Sequence, residues 1–121
     1  MPLPESPLAT AALFILAGAV AVGGLTAYVR LAEKNTPVDV GLLHGGAGLT
    51  AALLLLVSLF RDNTANPNAA PTLGFLALTI LAGITLYYLI RRRGLLPKTL
   101  VLIHALLAVS AVHTLLRGWP T

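Results

Sequence analysis

Three histidines, His44, His104 and His113, are the side chains of this chain best suited to hold a metal or move a proton, and they stand among only four acids and no cysteine. Lack of cysteine removes disulfides, thiolate metal sites, Fe–S clusters and cysteine nucleophiles. The acids Glu5, Glu33, Asp39 and Asp62 all fall outside the uncharged apolar runs. Within those runs no carboxylate is present to complete a zinc site, to serve Ser58 or Ser110 as the third member of a triad, or to couple a cation to transport. The segment "LLHGGAG" has glycines but neither the lysine nor the strand-to-helix context of a phosphate loop. No catalytic residue is assigned. What remains is His44 and His104, each seven residues beyond a proline, Pro37 and Pro97.

The elements that must carry these residues are membrane spans. Of 121 residues 57% are apolar and 10% charged, too little polar surface for a water-soluble domain of this size. Spans are expected near Leu8–Val29, Val40–Phe60, Thr72–Ile90 and Thr99–Leu116, each rising about 27 to 33 Å and so matched to a hydrocarbon core. Period-2 alternation is absent, which excludes a barrel. The fold expected is an all-α transmembrane four-helix bundle forming one domain over residues 1–121, its short loops forcing successive helices antiparallel.

Charge sets the orientation. Arg30, Lys34, Arg91, Arg92, Arg93 and Lys98 lie at one end, Arg61 and Arg117 at the other. The positive-inside rule then puts the first and third loops in the cytoplasm and both termini on the outer face of a bacterial or archaeal cytoplasmic membrane. "MPLPESP" has no basic leader, so the first run is read as an uncleaved span. The excess of basic residues is a topology signal, and no nucleic-acid partner is expected. Trp119, just past Arg117, is expected as an interfacial anchor.

A shift of sixty residues registers the halves without a gap: Pro37 falls on Pro97, His44 on His104, Gly23 on Gly83 and Tyr28 on Tyr88. This predicts a duplicated two-helix unit with a pseudo-twofold axis along the membrane normal. His44 and His104 then lie at one depth, about 10 Å from the basic end, facing a common centre. Two neutral imidazoles from separate helices are the ligand set of a six-coordinate haem b. Small residues at that depth, Gly23, Gly45, Gly48 and Gly83, would admit the porphyrin plate, and Arg91, Tyr28 and Tyr88 would meet its propionates. His113 lies nine residues beyond His104, on the opposite helical face, and cannot join the same iron.

On His44 and His104 in helices two and four, the glycines after His44 and the basic loops, the chain resembles the small four-helix membrane-bound b-type cytochromes, cytochrome b561-like in the broad sense. The resemblance covers the architecture and few motif residues. It implies an electron-transfer subunit, more than a self-contained enzyme, working through one bis-histidine haem in a larger membrane complex, with other membrane subunits, lipid and quinone as partners. With three histidines the chain departs from the two-haem pattern, which needs four ligands. The alternative is a haem-free structural or accessory subunit whose histidines serve packing.

Overall fold

A computed structural model describes residues 6–32, 38–61 and 66–119. Four helices account for nearly all of them: α1 (Pro7–Leu31), α2 (Val38–Arg61), α3 (Ala69–Arg93) and α4 (Lys98–Arg117). Each is long and apolar enough to cross a bilayer. The helices outrun the uncharged segments, because charged residues at a span end still hold helical geometry. Arg91, Arg92 and Arg93 form the last turn of α3, where cations suit the helix dipole. The third connection thereby shrinks to residues 94–97. Gly94 makes that possible: at φ 63° it takes the left-handed conformation, and the following amide of Leu95 closes onto the Leu89 carbonyl at 3.0 Å.

Starts are equally local. Ser6 caps α1 by accepting from the Ala9 amide at 3.0 Å, and Pro7 occupies the first turn, where a missing N–H costs nothing. Pro71 likewise falls in the first turn of α3 and Pro97 caps α4. Pro37, its expected counterpart, and Lys34 lie outside the described residues.

In the bundle α1 packs on α2 and α4, and α3 packs on α4 and α2; α1 and α3, like α2 and α4, face each other across the diagonal. A twofold axis along the bundle generates this arrangement from one helical hairpin. Burial repeats with the same offset of sixty: Ala9 with Ala69, Ala12 with Thr72, Leu16 with Leu76, Ala19 with Thr79, Ala51 with Ala111 and Leu55 with Leu115. Matching of whole buried stripes cannot come from leucine and alanine abundance, so the duplication is a property of the fold.

The core so formed occupies the half of the bundle holding the termini, with Leu13, Phe75 and Trp119 packed around it. Trp119 is therefore partly buried against that core. A polar tie reinforces this end in the second repeat: Asn66 donates to the Leu115 carbonyl at 3.0 Å and Asn68 to the Thr114 carbonyl at 2.9 Å, bolting the start of α3 to the end of α4. Gly118 is required beside it, since a Cβ there would meet Asn66 Oδ1 and, at 2.9 Å, Asn68 Cβ.

Gly118→Ala should therefore loosen the end of α4, whereas Gly74→Ala, where the added methyl meets nothing within 4 Å, should leave stability level or raise it by up to about 1 kcal/mol. Thermal unfolding in detergent micelles checks the order, and protection of the α4 terminal amides in hydrogen exchange locates the effect.

Candidate functional site

Where the inward stripe passes the level of the histidines its side chains become small. On α1 it runs through Gly23, on α3 through Gly83, and opposite each lies the imidazole of the next helix. His44 Nδ1 lies 2.8 Å from the Ala19 carbonyl, and His104 Nδ1 lies 2.9 Å from the Thr79 carbonyl. A carbonyl oxygen only accepts, so each Nδ1 carries a hydrogen and donates it. Both bonds span 25 residues and are related by the repeat.

Helix geometry explains why the glycine comes with the bond. In an α-helix the carbonyl of residue 19 accepts from the amide of residue 23, and the Cβ at that position tilts back toward the carbonyl. Without a Cβ the second lone pair of the carbonyl is uncovered and an imidazole can reach it. Contact confirms the fit: a Cβ on Gly23 would fall 2.5 Å from His44 Cε1, and one on Gly83 would fall 3.0 Å from His104 Cε1.

From opposite sides the two rings converge on the bundle axis. Their centroids are 6.0 Å apart and their planes 77° apart, an edge-on ring contact across the α2–α4 diagonal. His113 is exposed on the far side of α4 and takes no part.

The other residues expected at the site are placed elsewhere. Gly45 and Gly48 have nothing within 4 Å of where a Cβ would stand, and Gly45 is exposed. Tyr28 and Tyr88 are exposed on the outer surface, and Arg91 is half-buried at the end of α3, two turns beyond Gly83. Tyr87, unremarked in the sequence, rests 3.7 Å from the Cβ position of Gly41. Its contact partner was hidden because Tyr87 and Tyr88 are adjacent and equally amphipathic. Hydroxyls of Thr26, Thr50, Thr72, Thr79 and Thr85 each bond the carbonyl four residues back and so add no free donor.

This geometry corrects the expected haem b centre. Among the described residues no group of three or more His, Cys, Asp or Glu side chains could hold a metal ion. His44 and His104 are seated on backbone carbonyls and on each other instead of on an iron. Gly23 and Gly83, read as clearance for a porphyrin, are filled by the imidazoles themselves. The assignments of iron, haem, cytochrome b and electron transport to this chain fall with that centre.

Gly23→Ala should destabilise the bundle and break the His44–Ala19 bond, and Gly83→Ala should do the same more weakly, as the looser contact implies. Gly24→Ala, with open space around it, is the control and should gain up to about 1 kcal/mol of helix propensity. Unfolding midpoints of the three variants, with the imidazole N–H resonances as reporters, give the ranking.

Beyond this geometry the chain is a four-helix, all-α, membrane-spanning bundle, and nothing ties it specifically to cytochrome b561. Comparison with protein-family models, with curated proteins and with solved structures finds no match.

Proposed function

We propose that the chain is a haem-free structural or accessory subunit of a membrane protein complex, in which the histidines hold helices together. The observation that carries this reading is the committed state of both imidazoles: each ties two adjacent helices of one repeat, with its Nδ1 hydrogen on a carbonyl of the neighbouring helix. Buried Asn66 follows the same pattern, donating to the Leu115 carbonyl of α4 at 3.0 Å, while buried Ser58 is satisfied within α2 by the Leu55 carbonyl at 2.6 Å. The bonds from His44, His104 and Asn66 run between helices and so rigidify a scaffold, which supports a structural role. Interhelical bonds of this kind contribute about 1 kcal/mol each in membranes, enough to fix register between helices that lipid alone does not drive together.

In the proposed setting the basic loops face the cytoplasm and both termini face outward, in a bacterial or archaeal cytoplasmic membrane; the distribution of Arg30, Arg91, Arg92, Arg93 and Lys98 against Arg61 and Arg117 supports it. The partners are other membrane-embedded subunits and lipid. Quinone, which entered with the electron-transfer expectation, has no separate support.

Isolation at native expression level in mild detergent, followed by native mass spectrometry and a reduced-minus-oxidised absorption spectrum, tests the reading. A particle of fixed stoichiometry containing this chain and at least one other membrane protein, with no b-type band from this chain after haem is supplied, is expected. A homogeneous free monomer would overturn the accessory role, and a b-type band that vanishes in His44→Ala and His104→Ala would overturn the haem-free part.

A further inference from the structure

Because both Nδ1 atoms donate to carbonyls, both Nε2 atoms carry lone pairs, and neither has a hydrogen-bond partner among the described residues. Two acceptors thus belong to rings whose centroids lie 6.0 Å apart across the α2–α4 diagonal of a membrane bundle. The rings also lie nearer the basic end than the termini, His44 six residues from the start of α2 and His104 six from the start of α4. At that level Gly23 and Thr26 on α1, Gly41 and His44 on α2, Gly83 on α3, and Val101 and His104 on α4 are half-buried, and Leu86 on α3 is buried.

We propose that His44 and His104 form one proton-binding site, reached from the basic end, that takes up a single proton for the pair. A proton from water on that side adds to one Nε2, and the new N–H points to the other Nε2, directly or through one water. The pair gains one positive charge, and no bond other than the donor's O–H is broken. A second proton would place two unit charges 6.0 Å apart, which at an effective dielectric near 20 disfavours it by about a hundredfold. The nearest charged residues along the packed helices are Arg30 on α1, Asp39 at the start of α2, Arg91 on α3 and Lys98 on α4, each at least five residues along its helix from the ring level, and Arg92 and Arg93 lie beyond Arg91. The inference goes beyond the accessory role and does not depend on it, since proton uptake is read on the chain alone and subunit composition is not.

The test is nitrogen-15 spectroscopy of histidine-labelled protein in bilayers, titrated from about pH 9 to about pH 4, where imidazoles change charge. The Nε2 signals of His44 and His104 should move together through one step worth one proton, with the second proton delayed by about two pH units. In His44→Gln, which keeps an amide donor for the Ala19 carbonyl but cannot hold a proton, His104 should titrate alone with no delayed step. Two full, independent steps at one pH, no uptake by either ring, or a delay that survives in His44→Gln would each overturn the proposal. If that variant does not insert, the wild-type titration decides by itself.

Discussion

An imidazole N–H donated to a backbone carbonyl of the neighbouring helix is the interaction around which this bundle is arranged. To reach that carbonyl the ring must pass over the residue four positions on, so a glycine is imposed there, and the helix pair is drawn close at that level. The chain does this twice, at His44 with Ala19 and Gly23 and at His104 with Thr79 and Gly83. Duplication then fixes the rest: two similar hairpins related by a pseudo-twofold axis bring both rings to the same depth and toward the axis itself.

Packing is divided along the bundle accordingly. Toward the termini the stripes of alanine and leucine interlock, and small residues let the helices approach closely, which in lipid replaces the hydrophobic drive that holds soluble cores together. Toward the basic loops Gly23, Thr26, Gly83 and the two histidines are half-buried, with Leu86 of α3 buried among them. Asn66 and Asn68, whose places in the first repeat are taken by Ser6 and Leu8, show how the copies have diverged at the cohesive end while the histidine level stayed symmetric.

Much of this was legible in the residues. Uncharged runs of span length locate the helices because hydrocarbon admits little else, and the sixty-residue offset exposes the repeat because Pro, His and Gly matches are rare against a leucine and alanine background. Depth was legible too, since helical rise is uniform: Gly23 and Gly83 stand opposite the rings. The haem reading failed at a point where sequence is silent. Small residues beside a histidine signal close approach, but whether a cofactor or the imidazole itself fills the space depends on side-chain direction and on a backbone carbonyl that no residue type reveals. Gly45 and Gly48 illustrate the same limit, being small without facing anything.

The two imidazole–carbonyl bonds, from His44 to Ala19 and from His104 to Thr79, are measured by a trans-hydrogen-bond coupling between nitrogen-15 in the ring and carbon-13 in the carbonyl. Protein in bilayers at a pH where the rings are neutral should show protonated Nδ1 on both His44 and His104, coupled respectively to the carbonyl carbons of Ala19 and Thr79, with Nε2 bare. Protonated Nε2 on either ring, or coupling to no carbonyl of α1 or α3, would contradict the arrangement on which the bundle, its glycines and its paired acceptors all depend.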